Sequence, residues 1–468
     1  MMLRRAQLLT AVRRLSTVAA LAFALSPSAW AWSNHALGTW QALAPLSEVA
    51  QAAPVRVESL EAFLAAEGPA LEGLLEAEES WARANVPHYP ARPDALRFKA
   101  GGSGSELRRR FLSALRINPS ARLTLFMQAR PGAEISPAAA MPRAEVTTVG
   151  QRDDHNKAAF LRLREGDVVQ ALDVLATASD EPDFGLDLGI WEDNGTDYGK
   201  QYGFGKQPFG NPALEFSSQA PMHMGFFHEQ WILYKAAPFL LRTYPEYRIH
   251  LYQTLAQHAL RTGHDYWGWR FAGWALHYIQ DLTQPYHARV VPGLGTPSLL
   301  WINSLAMIGF PTRKEHAISL VSNRHQALEN YQFRRMREAY LNKNDDDALL
   351  RAARNVAGDS AYPRYTATVV RQSITRQSHA AADATDAALE RGVPAKYISD
   401  PDYVMSASGE DVDLHALVSA GAPAAREEMN SLVTALMMNF GTHSRLFIRA
   451  VADGARPAGS VSQSAASR

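Results

Sequence analysis

The chain has no cysteine in 468 residues. Disulfides are thereby excluded, and any zinc held by the protein must sit on His, Asp, Glu or backbone groups. An excess of one charge is missing too, since 47 basic residues balance 47 acidic ones. That balance argues against a nucleic-acid-binding surface built from bulk charge, although a local basic groove stays open. No long run of like charge occurs. The apolar run near the amino end, Val18 to Leu25, is too short to span a bilayer, which takes about 20 residues. Internal repeats are absent, and no stretch has the pattern of a separate β-sandwich.

The short apolar run has a context of its own. Arg4, Arg5, Arg13 and Arg14 precede it, and "SPSAWA" follows with small residues at Ala29 and Ala31. This is the order of a bacterial export signal, residues 1–31, cut after Ala31. Neither pair of adjacent arginines carries a surrounding motif, so the export route stays open. The expectation is a secreted or periplasmic protein that begins at Trp32 and has no transmembrane segment.

Hydrophobic residues make up 47% of the chain, enough for a large core. "VESLEAFLAAEGPALEGLLEAEESWARA", "SELRRRFLSALRI" and "GDVVQALDVLATAS" space apolar residues three to four apart, which predicts helices. Pro, Gly and polar residues cluster in "YPARPD", "KAGGSGS" and "MPRAEVTTVGQRDDHN", which read as surface connections. Asp153, Asp154 and His155 in the last of these read as solvated loop residues. Residues 180–222 are irregular and rich in Gly, Asp and aromatics, a length that usually signals function or disorder. Beyond them helical patterning returns, with Trp267, Trp269 and Trp274 read as core. Residues 32–453 are expected to form one all-α unit, and 454–468 a disordered tail.

The chemistry concentrates in "WALHYIQDLTQPYH", Trp274 to His287. His277 and Asp281 are four apart, so on a helix they leave the same face and can hold one metal ion. Pro285 removes a helical hydrogen bond and clashes with the carbonyl of Asp281, so the chain must bend or leave the helix before His287. His287 can then face a different ion. Downstream, "SNRHQALENY" repeats the four-residue spacing with His325 and Glu329. Together with His287 they supply two imidazoles and a carboxylate, the donor set of a catalytic zinc site. Cleavage after Ala31 would also free the amine of Trp32 beside its own carbonyl oxygen, with His35 three residues on to close a further site.

Trp32, the run His277, Asp281, Gln284, Pro285 and His287, and the pair His325 and Glu329 resemble the zinc-dependent phospholipase C and single-strand nuclease superfamily, on its bacterial phospholipase C branch. The resemblance rests on scattered points. It implies an all-α, multi-helix bundle with long loop insertions that holds three zinc ions. His277 and Asp281 would bind the first ion. His287, His325 and Glu329 would bind the second, and Trp32 with His35 the third, Asp281 bridging first and third. Two further ligands are expected, an Asp at a helix end and a His after the long loop. Asp180 and His223 fill those places, with Asp183 and His228 as competitors.

The chain departs from the family in three ways. His35 comes only three positions after Trp32, the segment 36–179 is an added insertion, and His223 comes 43 positions after Asp180. The implied activity is hydrolysis of the glycerol-side phosphodiester of phospholipids such as phosphatidylcholine, with Asp281 at the attacking water and Asp180 orienting it or taking its proton. Glu329 and the missing cysteines favour the phospholipases over the nucleases, whose sites usually carry Asp there and whose folds carry disulfides. A nuclease or 3′-nucleotidase, and a non-catalytic zinc-binding protein with every coordination position filled, are the alternative readings. The expected partner is a phospholipid surface, with no stable nucleic-acid partner. Trp191, Tyr198, Phe204 and Phe226 are open to two readings, a cage for a quaternary ammonium or core packing.

Overall fold

The structure is a computed structural model that describes residues 34–102, 104–150, 157–210, 215–405 and 408–456. Trp32, the 1–31 segment, and Asp153, Asp154 and His155 lie outside the described residues. The architecture is helical, with 61% helix and 3% strand. The helices that build the site are α1 His35–Leu43, α2 Leu60–Asn85, α3 Gly104–Leu115, α4 Ala171–Ala178 and α5 Trp231–Ala236. They continue as α6 Pro245–Arg261, α7 Asp265–Asp281, α8 Pro285–Ala288, α9 Thr296–Met307, α10 Thr312–Leu341, α11 Ala348–Arg354, α12 Thr375–Gly392 and α13 Pro423–Ala455. The last of these runs past residue 454, where the tail was expected to begin, and carries Val451 into the core.

At the centre lies α7. Every residue from Tyr266 to Asp281 is buried, as expected of a helix with apolar side chains all round. It packs against α4, α6 and α13, while α1 packs on α4 and α13. The α4 contact is close because position 273 is glycine: a Cβ there would stand 2.5 Å from the Cβ of Ala178. That approach brings the end of α4, and the loop after it, against the face of α7 that carries His277.

The 36–179 segment, read from the sequence as an insertion, is not a separate layer. Phe63, Leu64, Leu71, Phe111 and Leu115 from α2 and α3 join the same hydrophobic cluster as Trp267, Phe271 and Trp274 of α7. Among the described residues of the segment there are five short strands, which helical periodicity did not signal. β1 Val55–Arg56 pairs antiparallel with β5 Val168–Val169, and β4 Ala159–Arg162 pairs antiparallel with both β2 Phe126–Ala129 and β3 Ala140–Met141. β5 lies inside the stretch read as one helix, so α4 starts only at Ala171.

The described residues of 180–222 are largely irregular, as read, with a short helix at Asp197–Gln201, and they carry side chains into the core. Trp191, Phe204 and Phe226 are buried, and the indole N–H of Trp191 donates to the carbonyl of Ser218. Of the two readings these aromatics left open, core packing is the one observed for them; Tyr198 is half-buried and donates its hydroxyl to the carbonyl of Leu188. Among the described residues, no helix is long and apolar enough to cross a membrane.

Candidate metal centre

Helix α7 ends at Asp281, and Pro285 becomes the first residue of α8. The bend that proline imposes turns His287 away from the α7 axis. His325 and Glu329 lie one turn apart on α10, both buried, with His325 Nε2 2.7 Å from Glu329 Oε1. His35 opens α1, whose N-cap is Asn34, its side-chain oxygen accepting from the N–H of Leu37. His223 ends a short helical turn, Ala220–His223, at the close of the irregular segment.

Two buried ion pairs clamp the loop that follows α4. Arg270 and Trp274 of α7 both donate to Glu181. Arg248 of α6 and Tyr278 of α7 donate to Asp187, each at 2.6 Å. Between these anchors Asp183 faces His277 of α7 and His223, with Oδ1 3.6 Å from His277 Nε2 and 3.9 Å from His223 Nδ1.

The result, among the described residues, is three adjoining groups that could hold metal ions: His35, His277 and Asp281; Asp183, His223 and His277; and His287, His325 and Glu329. In each, the donor atoms lie within 4.8 Å of one another. The first two share His277, and Asp281 Oδ2 reaches within 2.8 Å of His223 Nδ1 and 4.0 Å of His287 Nδ1.

Hydrogen bonds fix the histidine tautomers, and those tautomers test whether a cation fits. His277 Nδ1 lies 2.7 Å from the carbonyl of Ser179, so it must carry the proton. In the neutral ring Nε2 is then an acceptor, 3.3 Å from the acceptor Asp281 Oδ2 and 3.0 Å from His223 Nδ1, whose one proton can serve only one of the two. His287 is set the same way by the carbonyl of His223 at 2.9 Å. A chain of hydrogen bonds sets His35. Ser179 donates its hydroxyl to the carbonyl of Ala176 and so accepts from Thr39. Thr39, its proton used, accepts from the amide nitrogen of Gln280. The oxygen of Gln280 therefore faces His35 Nδ1 at 2.8 Å and takes its proton. His35 Nε2 is left bare, 3.3 Å from Asp281 Oδ1.

Such acceptor-against-acceptor contacts in a buried space need a second proton or a metal ion between them. His35 Nε2, His223 Nε2, Asp281 Oδ1 and Glu329 Oε2 are all buried without a hydrogen-bond partner. The residues present therefore fit one or more metal ions.

Electrostatics separates the carboxylates. Burial pushes Asp183 up to about 7 and Asp180 up to about 6. Glu329 is raised well above the usual range, again by burial. Burial also opposes charge on Asp281, but His277 and His287 beside it hold it well below the usual range. At Asp187 the Arg248 guanidinium outweighs burial and brings the carboxyl to about 2. Burial disfavours the imidazolium of His223, yet Asp187 and Asp281 raise it to about 10, whereas burial takes His277 down to about 3.

The structure places the sequence-derived residues as follows. His35, His223, His277, Asp281, His287, His325 and Glu329 converge. Asp180 does not enter a group: its Oδ1 accepts the backbone N–H of His35 at 2.5 Å, favourable for a carboxylate at the start of α1. Its competitor Asp183 stands in the group instead. The other competitor, His228, lies apart, with Nε2 3.0 Å from Thr375 Oγ1. Sequence reasoning missed Asp187 and Gln280, which orient ligands without belonging to a group. The signal for Gln280 was its place beside Asp281 on a helix apolar all round, where a polar side chain must find partners.

Comparison with family models, with curated proteins and with solved structures finds no match to this chain.

Proposed function

We propose that this protein is a zinc-dependent phosphodiesterase that acts on phospholipids as a phospholipase C, releasing diacylglycerol and a phosphorylated head group. One observation carries the metal half of the reading: three adjoining groups of His and carboxylate donors, in the first of which the tautomer fixed by hydrogen bonds turns the bare Nε2 of His35 toward a carboxylate oxygen of Asp281. His-rich donor sets completed by carboxylates, with no sulfur, suit zinc. The motif resemblance supports three ions, the Trp32 amine completing the group of His35, and supports the phospholipid phosphodiester as substrate.

Zinc supplies positive charge that favours attack of water on phosphorus and offsets charge on the phosphoryl oxygens. The chain's own contribution is placement. Asp281, through its two oxygens, ties the group of His35 to that of His223. Asp183 is the most exposed group member, with 14% of its side chain accessible against at most 1% for the histidines around it. This supports an open position at Asp183, where a purely structural centre would be filled. We assign proton acceptance from the attacking water to Asp183 in preference to Asp180, because one oxygen of Asp180 is committed to the His35 N–H.

The test offers zinc-loaded protein phosphatidylcholine, phosphatidylethanolamine and single-stranded nucleic acid side by side. Diacylglycerol release from a phospholipid supports the proposal. Cleavage of nucleic acid alone moves the protein to the nuclease reading, and turnover of none of them, with zinc bound, leaves the structural reading.

A further inference from the structure

Helix α9 is apolar yet scarcely buried. Of its twelve residues only Thr296 is buried. Trp301, Met307, Ile308 and Phe310, on α9 and the turn after it, are 59%, 53%, 70% and 64% exposed, and Trp231 on α5 is 70% exposed. An apolar helix in a folded protein normally hides its apolar stripe, and clustered exposed aromatics and aliphatics mark a surface meant to be covered.

The sequence around α9 indicates what covers it. From Val290 to Thr312 there is neither a charged residue nor a histidine. Exposed cations stand at the margins, Arg313 at the start of α10 and Lys235 on α5. Trp side chains with aliphatic neighbours, edged by Lys or Arg, are the composition of elements that lie in the plane of a bilayer interface. The basic edge complements lipid phosphate. Beneath α9 runs a small apolar groove of about 80 Å³, lined by Leu233, Leu240, Val290, Leu299, Ile302 and Val321. Val321 is one helical turn before His325 on α10, and Val290 is three residues after His287. The exposed patch and the third group of donors therefore share their supporting elements.

We infer that α9, the turn Ile308–Phe310 and Trp231 of α5 form a docking surface for a phosphatidylcholine bilayer, whose acyl region covers the exposed side chains. The link to His287 and His325 rests on the lipid-phosphodiesterase reading; the docking itself does not.

The experiment is flotation of the full protein with phosphatidylcholine vesicles, compared with a Trp301→Ser, Ile308→Ser, Phe310→Ser variant. The three side chains are exposed, so the variant should melt like the wild type. The wild type should float with vesicles, and the variant should bind at least about tenfold more weakly, as loss of three buried apolar side chains requires. A Val356→Ser, Leu417→Ser variant, altered at exposed apolar residues on other elements, should float normally. Hydrolysis of short-chain phosphatidylcholine below its micellar concentration should change within about twofold in the triple variant. Vesicle binding that survives the triple substitution overturns the docking surface and leaves the catalytic reading intact. Vesicle binding lost in the variant while no form hydrolyses lipid keeps the docking surface and removes the catalytic reading. A wild type that ignores vesicles, or a dimer that the triple substitution dissociates without any vesicle binding, overturns the inference.

Discussion

Nε2 of His35 stands 3.3 Å from Oδ1 of Asp281, and in the neutral imidazole neither atom has a proton to give the other. The contact is held by a relay from the end of α4 through Ser179, Thr39 and Gln280, residues that touch no metal themselves. Acceptors pressed together this way repel unless a second proton or a metal ion lies between them. The predictions follow from that condition.

Gln280 acts as a positioning residue. Gln280→Leu removes the acceptor that fixes the His35 tautomer, and loss of such a partner typically costs about 10–100-fold in metal affinity. Zinc titration against a competing chelator should show one weakened site. Ser444→Ala, which removes only a second acceptor of the Gln280 amide, should leave zinc affinity in place. Equal affinity in Gln280→Leu and wild type would show that the relay does not set the tautomer.

Metal removal should destabilise the fold as well as end activity, because the donors are buried and bind the ion only when folded. Zinc at 100 times its dissociation constant stabilises by about 2.7 kcal/mol per site. Thermal melts with and without a strong chelator measure this, and superimposable melts of zinc-loaded and zinc-free protein would be inconsistent with buried sites.

Metal uptake should release protons in a pattern set by Asp183 and His223. Burial keeps the Asp183 carboxyl protonated up to about 7, and Asp187 and Asp281 keep His223 protonated to about 10. Both must deprotonate to bind, so apparent affinity falls as pH drops, steeply below about 7 where both protons are displaced and less steeply between 7 and 10. Asp183→Asn should remove the steep limb. Calorimetric titration in buffers of different ionisation enthalpy counts the protons, and a count independent of pH across 7 in the wild type would contradict the assignment.

Spacing along helices made much of this centre legible. His277 with Asp281 and His325 with Glu329 each lie one turn apart on one helix, and Pro285 announced the bend before His287. The choice between Asp180 and Asp183 was not legible. It is made by Arg270 on Glu181 and Arg248 on Asp187, long-range ion pairs that aim the intervening loop. The short strands escaped for a similar reason, since three of them, β1, β3 and β5, pair one exposed with one buried position, over too few residues to outweigh a neighbouring helical pattern. The buried aromatics of residues 180–222 show the same limit: composition alone gave no sign whether they faced a ligand or each other.

Asp180 and Asp183 can be told apart by substitution. Asp183→Asn should abolish turnover and weaken zinc at the His223 group. Asp180→Asn keeps an oxygen for the His35 N–H and should lower turnover modestly. A turnover assay with zinc analysis on both variants decides the roles, and the reverse ranking would return the proton acceptor to Asp180.

The most direct test of the metal centre counts zinc in Asp281→Asn and His287→Ala beside the wild type, together with turnover of short-chain phosphatidylcholine. Asp281 ties the first two groups together, so its amide variant should lose both of those ions, whereas His287→Ala should empty only the group of His325 and Glu329. Both should lose activity. Equal zinc loss in the two variants, or full zinc content with no turnover in the wild type, would contradict the account.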